Sequence, residues 1–478
     1  MEIINSKKDI YGIIFLVLSI ITLSYIFTSP LNHMVVNFDE LFTLTITNFP
    51  TSDILSITHG DFNPPFYYLL AKLAVKIFPN AFLSLKILSI IPYLFLLIIS
   101  VTKIRKDYGW LTTGVFSFSI VVMSQFAMYA LMARMYGWGI LFTVLAFIYF
   151  KDTFNDETYK SWILFTVFAI LASYTHYFAG LTVLCMYIFA KKSKETLISF
   201  VVLILAYIPW IFNLIYQAQA VNLPINLNIS LIAQSLGYFA YSPDGLFCLI
   251  AVLILIAIFL IYVSQGYDKY ILSGFGVFLS TVVLTILISI IFKPLLEVRF
   301  LIFAAAVLWL TLSVLISQIN DKKLFNFAFI LIVLLLVSGV CNMVVSNNQS
   351  VDENIEFNNF LSGLDNNSIV ILSNPKIMMH FLNFDDSTDM YAINQSYVYG
   401  VNIDRVHKIF NFKDITSDEI YNLTVNSSGK NVYLIDYGDI NLNNVNKTST
   451  IYYGNVQISK LNATQAYANN YSEYADEY

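Results

Sequence analysis

Acidic residues cluster in a short segment that directly follows the first long apolar run of the chain. Asp39 and Glu40 are adjacent, and Asp61 precedes Asn63, a proline pair and an aromatic cluster. A carboxylate beside a membrane-spanning segment is costly unless it is solvated or used. As a general base it could take the proton from a hydroxyl group that attacks an electrophilic carbon. The simpler alternatives are a solvated loop acid, the cap of a helix beginning at Leu41 and, for Asp61, an ordinary turn residue.

Cationic residues recur later in the chain, each beside another apolar run. Arg134 and Arg299 could hold a phosphate leaving group, because a guanidinium presents a fixed fork of donors. His176 lies in a short aromatic turn, and Glu297 stands two residues before Arg299. Each residue also has a plain alternative. Arg134 could snorkel at the membrane interface, His176 could belong to an aromatic belt, and Glu297 and Arg299 could form a loop ion pair.

The composition is that of a membrane protein with many spans. Of the 478 residues, 58% are hydrophobic and 12% are charged, whereas an average soluble domain is about 25% charged. Apolar runs of about eighteen residues or more recur along the chain, as in transmembrane helices. The three cysteines lie in apolar runs and suggest no disulfide framework. No basic stripe indicates a nucleic-acid partner.

The apolar runs predict about eleven transmembrane helices and one interfacial or re-entrant helix, Pro65–Phe78. The predicted spans are Tyr11–Phe27, Leu85–Val101, Trp110–Tyr129, Tyr136–Phe150, Trp162–Tyr174, Phe178–Ala190, Thr196–Tyr216, Leu246–Val263, Ile271–Phe292, Leu301–Ile316 and Phe327–Val345. With the amino terminus in the cytoplasm, most lysine and arginine clusters fall on the cytoplasmic side. The acidic segment, Arg134, His176, Arg299 and the carboxy-terminal region are then external. All nine Asn-x-Ser/Thr sequons fall on the same external side.

The carboxy-terminal region differs from the rest in charge. From Val351 to the end there are sixteen acidic and seven basic residues, against fifteen and nineteen before it. We predict a membrane domain over residues 1–345 and a small extracytoplasmic α/β domain over residues 346–478. Predicted strands are Ser368–Leu372 and Val432–Asp436, predicted helices are Val351–Leu361 and Lys376–Phe381, and the end near Tyr471–Tyr478 is expected to be frayed.

The segments that carry these residues resemble those of the family 39-like glycosyltransferases with the GT-C fold. This family includes the dolichyl-phosphate-mannose protein mannosyltransferases and the bacterial enzymes that modify lipid A with aminoarabinose. The similar segments, covering about residues 10–345, are Asp39-Glu40, Asp61 to Tyr68, Arg134-Met135-Tyr136, His176-Tyr177 and Glu297-Val298-Arg299-Phe300. The chain departs from the family pattern at Asn63, where the family has histidine, and at Phe300, where tyrosine is commoner. Leu131-Met132-Ala133 also lacks an acidic residue often found there.

The resemblance implies a multi-pass enzyme of the cell membrane that transfers a sugar, with inversion, from a polyprenyl (dolichyl) phosphate to a hydroxyl on the external face. The acceptor would be a protein, a glycan or a lipid. By the same resemblance Asp39 would be the base, and Glu40 and Asp61 would orient the acceptor or a metal. Arg134 and Arg299 would bind the donor phosphate. The remaining site residues would be Asn63, Tyr67, Tyr136, His176 and Glu297.

The sequence leaves open both the need for a metal ion and the class of function. A divalent metal, Mg²⁺ or Mn²⁺, could bridge the phosphate and the carboxylates of Asp39 and Asp61. The main alternative function is a transporter or flippase for a lipid-linked sugar, and a scaffold that acts through its external region is a third. A transporter often has two related halves and charges at the membrane midplane. Here no repeat is evident, and the charges collect at one interface.

Overall fold

The structure is a computed structural model of the full chain, and it falls into two compact units. It describes residues 7–31, 38–59, 63–78, 81–155, 159–220, 228–240, 245–264, 268–292, 296–364, 367–373, 389–393, 413–427, 429–436, 442, 445–453 and 456–463. The first unit comprises Met1–Leu31 and Thr43–Asn347, and the second comprises Asn32–Phe42 and Asn348–Tyr478. One boundary between them therefore falls inside a helix, between Phe42 and Thr43.

The described part of the chain up to residue 364 is almost entirely helical. The helices are α1 (Lys7–Leu31), α2 (Phe38–Ile46), α3 (Thr51–His59), α4 (Phe66–Ile77), α5 (Ala81–Ile99), α6 (Arg105–Val122), α7 (Ser124–Leu131), α8 (Tyr136–Asn155), α9 (Tyr159–Thr175), α10 (Tyr177–Phe189), α11 (Lys194–Ala220), α12 (Ile229–Leu236), α13 (Gly245–Ser264), α14 (Lys269–Ile291), α15 (Ile302–Gln318) and α16 (Lys322–Ser362). A π-helical turn, Ser100–Ile104, joins α5 to α6. Short 3₁₀ turns cover Tyr238–Ala240 and Val298–Leu301.

Eight stretches among the described residues are long and apolar enough to cross a membrane. One of them, Leu83–Val122, has 40 residues and covers the predicted span Leu85–Val101 and most of Trp110–Tyr129. Helix α10, at 13 residues, is shorter, and α9 has 17. The predicted class, a polytopic α-helical membrane protein, is confirmed, while the count of eleven spans stays a prediction.

Helix α15 is the central helix of the first unit. Every residue from Ile302 to Ile316 is buried. A helix that is apolar on all sides lies either in lipid or within protein. Helix α15 lies within protein, because it is buried and contacts α6, α8, α10 and α14. Its sequence suits this position, because Ala304, Ala305 and Ala306 let neighbouring backbones approach closely.

Two glycine positions shape the bundle around it. Gly12 on α1 faces Gly114 on α6, and a Cβ atom built on Gly114 would lie 1.9 Å from the Gly12 carbonyl oxygen. Any side chain there would push the two helices apart. Gly109 has φ 85° and changes the chain direction inside α6. This conformation is readily available only to glycine, and it accounts for the break predicted between Val101 and Trp110.

The structure corrects three helix assignments made from sequence. The predicted span Trp110–Tyr129 is interrupted at Met123, whose backbone is extended, and α7 follows. The acidic segment, expected to be a loop, contains α2 and α3, because apolar residues such as Phe42 and Ile46 recur at helical spacing and are buried. The last predicted span and the predicted helix Val351–Leu361 form one helix, α16, of 41 residues.

The second unit contains a six-stranded sheet with the order β3-β2-β1-β4-β6-β5. The strands are β1 (Ser368–Leu372), β2 (Asp389–Ile393), β3 (Lys413–Ile415), β4 (Asn431–Asp436), β5 (Val445–Tyr453) and β6 (Val456–Ala463), with helix α17 (Ser417–Asn426) before β4. Strands β3, β2, β1 and β4 form a parallel part of the sheet. Strand β6 pairs antiparallel with both β4 and β5.

Both predicted strands of this sheet are confirmed, as β1 and β4. Strand β1 is buried along its whole length. Val370 and Leu372 pack with Phe357 on one face, and Ile369 and Ile371 pack with Ile420 on the other. A strand covered on both faces has a continuous apolar sequence, which is why it could be predicted. The predicted helix Lys376–Phe381 and the end near Tyr471–Tyr478 lie outside the described residues.

Candidate active site

Three helices of the first unit begin close to one another. Helix α8 starts at Tyr136, α10 starts immediately after His176, and α15 starts one residue before Phe303. The centroid of the His176 ring lies 5.6 Å from that of Tyr136 and 4.8 Å from that of Phe303. The first N–H groups of a helix have no partner within it and carry partial positive charge. A point where three such termini meet favours an anion.

Arg134 lies two residues before α8 and is buried. Its Nη1 atom donates a hydrogen bond of 2.9 Å to the Tyr68 hydroxyl, and its guanidinium carbon lies 5.8 Å from the centroid of the Tyr68 ring. Only 6% of the Arg134 surface is exposed. An arginine that snorkels into the headgroup layer would expose its charged end, so that alternative is wrong. Tyr68 belongs to α4, which coincides with the predicted interfacial helix.

Arg299 precedes α15 and is held by Glu297, as the plain alternative predicted. Its Nε atom lies 2.8 Å from Glu297 Oε1, and its Nη2 donates to Oε2 at 2.9 Å. Both side chains are 35% exposed, and an ion pair of this kind adds little stability. The two contacts instead fix the plane of the guanidinium next to the first turn of α15.

His176 is a buried, neutral residue close to both arginines. Its Nδ1 atom accepts a hydrogen bond of 3.1 Å from the backbone N–H of Phe178 and thereby caps α10. The ring proton is therefore assigned to Nε2. Burial, with the nearby charges of Arg134 and Arg299, lowers the pKa of His176 to about 3. At neutral pH the ring is uncharged and can act as a hydrogen-bond donor. The aromatic-belt alternative does not hold, because His176 is buried.

A second group of polar residues, not identified from sequence, connects α3 to the start of α10. Gln217 is buried in α11, and its Nε2 donates to the carbonyl oxygens of Thr58 at 2.7 Å and His59 at 3.2 Å. The Tyr177 hydroxyl donates to Gln217 Oε1. Since Tyr177 follows His176 directly, Gln217 fixes the end of α3 relative to the cap of α10.

The same group extends along α11. The His59 ring stacks on Tyr216 at 4.3 Å between centroids, and its Nδ1 lies 2.6 Å from Asn213 Oδ1. Trp210 Nε1 donates to the Tyr177 hydroxyl at 3.0 Å. The signal in the sequence was the pair Asn213 and Gln217, which lie four residues apart near the end of an apolar helix. Polar residues within an apolar membrane helix usually face the interior of the helix bundle and not the lipid.

Two lysines near this end of the bundle were not among the predicted site residues. Lys72 on α4 donates to the carbonyl oxygens of Thr47, at 3.2 Å, and Phe49, so it stabilises the C-terminal end of α2. Lys86 is buried in the second turn of α5, inside an apolar stretch. That part of α5 lies beside the start of α8, where Trp138 Nε1 donates to the Leu88 carbonyl at 3.1 Å. A lysine within a membrane span usually has a functional role.

The structure places the predicted acids as follows. Asp39 and Glu40 lie in the first turn of α2, where the helix dipole favours carboxylates. Glu40 is buried and Asp39 is partly buried. Both belong to the second unit, whereas Arg134, His176 and Arg299 belong to the first. Asp61 lies outside the described residues.

The other predicted site residues lie near Tyr68 and the helix start at Tyr136. Asn63 is nearly buried, and Tyr67 is fully buried on α4. Tyr136 packs on Tyr129 with 4.1 Å between ring centroids. In the part of the chain that the structure describes, no group of three or more His, Cys, Asp or Glu side chains is placed to hold a metal ion. Of the two predicted ligands, Asp39 lies in α2 and Asp61 lies outside the described residues.

The fold is that of a GT-C-like membrane protein with an appended α/β domain. No family model and no curated protein matches the sequence. The fold is similar to a crystal structure of ArnT from Cupriavidus metallidurans in the apo state, with a TM-score of 0.53, 9% identity, and coverage of 94% of this chain and 97% of that chain. A crystal structure of the same protein bound to undecaprenyl phosphate has a TM-score of 0.52 and 9% identity, with coverage of 95% of this chain and 98% of that chain. The predicted GT-C-like fold is confirmed.

Proposed function

We propose that this protein is a membrane glycosyltransferase that uses a polyprenyl-phosphate sugar as donor. The observation that carries the proposal is the convergence of three helix N-termini with Arg134 and Arg299 around a neutral His176. The fold supports it, since a protein with this fold has been crystallised with undecaprenyl phosphate. We also propose that this end of the bundle is external and that the amino terminus is cytoplasmic, from the distribution of lysine and arginine.

The donor phosphate is the group that this arrangement suits. As the bond between the anomeric carbon and the phosphate oxygen breaks, negative charge grows on the phosphate. Fixed donors aimed at that charge lower the barrier, and they act more strongly where water is excluded. The two guanidinium groups supply such donors, and the dipoles of α8, α10 and α15 add partial positive charge at their N-termini. His176 can donate one more hydrogen bond through Nε2.

The acceptor side of the proposal rests on the order of segments and on the family resemblance. The acceptor oxygen attacks the anomeric carbon, its proton passes to the Asp39 carboxylate, and polyprenyl phosphate leaves from the opposite face. The anomeric centre is therefore inverted. Glu40 and Asp61 would orient the acceptor. A Mg²⁺ or Mn²⁺ ion held by Asp39 and Asp61 would supply further positive charge at the phosphate, and chelation by EDTA tests for it.

The test uses the purified full chain with a panel of radiolabelled polyprenyl-phosphate sugars and measures released polyprenyl phosphate. Asp39→Asn should abolish release while the protein still inserts and accumulates, because the amide cannot take a proton. Asp53→Asn is the matched control. It removes the same charge from α3, the next helix of the same segment, and should leave the rate unchanged.

Two results would contradict the proposal. Full activity of Asp39→Asn would exclude that residue as the base. Movement of the labelled donor across a liposome membrane without release of polyprenyl phosphate would support the flippase alternative instead.

A further inference from the structure

A cavity of about 570 Å³ lies at the opposite end of the helix bundle. Its walls come from the last residues of α8, the end of α10 and the start of α14. Helix α8 has 20 residues, so its two ends are separated by about 30 Å. The cavity is therefore distinct from the candidate active site, which lies at the other end of the same helices.

Among the described residues, the charged side chains that line this cavity are mainly positive. They are Lys151, Lys191 and Lys269, together with the acid Asp268. Lys151 is already engaged, with its Nζ 3.4 Å from Asp107 Oδ2 and 4.0 Å from the centroid of the Tyr108 ring. The Asp268 carboxylate accepts a hydrogen bond of 2.7 Å from the backbone N–H of Tyr270 and caps α14.

Lys191 and Lys269 are the two cations left to face the cavity. Among the described residues, neither ammonium group forms an ion pair. Like charges that share one cavity repel each other, and a bound anion removes that repulsion. Lysine is a common partner of phosphate, to which it presents a compact charge with three donors.

The remaining lining is aromatic and adjoins an apolar surface. Tyr270 is buried and stacks on Phe147 with 4.6 Å between ring centroids, and Phe154 and Phe189 complete the wall. Beside the lining residues, Ile188 is 62% exposed, as expected for a residue that faces acyl chains. The volume lies within the range of about 300–1,000 Å³ found for small-molecule sites and is more than a lone phosphate needs.

We propose that this cavity binds the headgroup of an anionic phospholipid, with its phosphate between Lys191 and Lys269 and its acyl chains along the apolar surface beside Ile188. The aromatic wall would contact the glycerol portion. This inference does not depend on the proposed transferase activity.

The test measures binding of short-chain phosphatidylglycerol to the full chain in neutral detergent by native mass spectrometry. Lys191→Gln/Lys269→Gln should weaken binding about tenfold or more, since each basic residue near a phosphate contributes substantially. Lys192→Gln/Lys194→Gln is the matched control. It removes two exposed lysines from the same end that do not line the cavity, and binding should change less than about twofold. Ala190→Trp fills the cavity without changing charge and should weaken binding as much as the first pair.

Other outcomes would overturn the proposal. Equal losses in the two double variants would mean that binding follows overall surface charge. Unchanged binding by Ala190→Trp would place the lipid elsewhere. Glycerol phosphate competing at concentrations equal to those of the lipid would identify a water-soluble phosphate as the ligand. Melting temperatures of all variants within a few degrees of the unmodified protein would establish that folding is intact.

Discussion

Replacing Gln217 with leucine should disconnect the end of α3 from the cap of α10. Leucine has a similar volume but makes no hydrogen bonds. Three partners of the amide would be affected, the carbonyl groups of Thr58 and His59 and the hydroxyl of Tyr177. The variant therefore tests whether this hydrogen-bonded group positions the segment that contains Asp61.

The size of the effect can be worked out from the burial of the partners. A buried polar group that loses its partner costs about 1–3 kcal/mol. Thr58 is fully buried and bears that cost, whereas His59 is partly exposed and can bond water. The Tyr177 hydroxyl keeps its bond from Trp210. We therefore expect a loss of about 1–3 kcal/mol in the free energy of unfolding.

The effect on catalysis should be separable from that loss. A displacement of about 1 Å in a positioning element can lower a rate about a hundredfold. Arg134 and Arg299 are held by other residues, Tyr68 and Glu297. Transfer rate at saturating donor should fall about 10–100-fold, while the affinity for polyprenyl phosphate should change less than about threefold. Gln318→Ala, an exposed glutamine at the end of α15, is the control and should change neither quantity.

The reasoning would be refuted by a Gln217→Leu variant with unchanged transfer rate. It would also be refuted if the rate and the affinity for polyprenyl phosphate fell together, since the variant would then disturb the whole site. A melting curve recorded on the same preparation separates both results from simple unfolding.

Three further predictions follow from the same structure. Arg134→Gln should lower the transfer rate about a hundredfold or more, because it removes a fixed charge at the leaving group, and Arg134→Lys should recover part of it in the polyprenyl phosphate release assay. The free energy of unfolding should fall as pH is lowered from about 6.5 towards 3, by up to about 1.4 kcal/mol per pH unit. The unfolded chain protonates the His176 imidazole in that range, but the folded chain holds its pKa at about 3. His176→Asn should show a shallower slope in denaturation curves across pH. Lys447→Met should destabilise the sheet of the second unit by about 3–5 kcal/mol, since the fully buried Asp436 would lose the ammonium 2.7 Å from its Oδ2. Thermal unfolding followed by circular dichroism checks this, and the double variant with Asp436→Asn should be milder.

The helices and the central strands could be predicted because their signals are local. Runs of apolar residues identify the spans, and β1 is covered on both faces and therefore has a continuous apolar sequence. The break at Met123 was not predicted, because Ser124 and Gln125 interrupt the apolar run only briefly and apolar residues resume at Phe126. Contacts distant in sequence accompany that break, such as the Tyr93 hydroxyl donating to the Phe126 carbonyl at 2.9 Å.

Some features of the candidate site could likewise be predicted from sequence, and others could not. Arg134, His176 and Arg299 were expected on one side of the membrane, because the alternation of spans fixes which ends share a side. The low pKa of His176 could not be anticipated, since it depends on burial and on the placement of two guanidinium groups. The contacts of Gln217 with Thr58 and His59 join residues more than 150 positions apart, and no local pattern indicates such a pairing.

The positions of the two arginines argue for an anionic ligand independently of any resemblance. Helix N-termini favour negative side chains, and cations there are unfavourable by about 0.3–1 kcal/mol each. Arg134 precedes α8 and Arg299 precedes α15, the buried central helix. Before α15, Glu297 offsets the charge of Arg299. Before α8, by contrast, Arg134 is hydrogen-bonded to the neutral hydroxyl of Tyr68. Both arginines are fixed in orientation, one by a tyrosine hydroxyl and the other by a two-point ion pair. A phosphate bound near both groups would offset these unfavourable interactions, because its negative charge attracts the guanidinium groups and the helix N-termini alike.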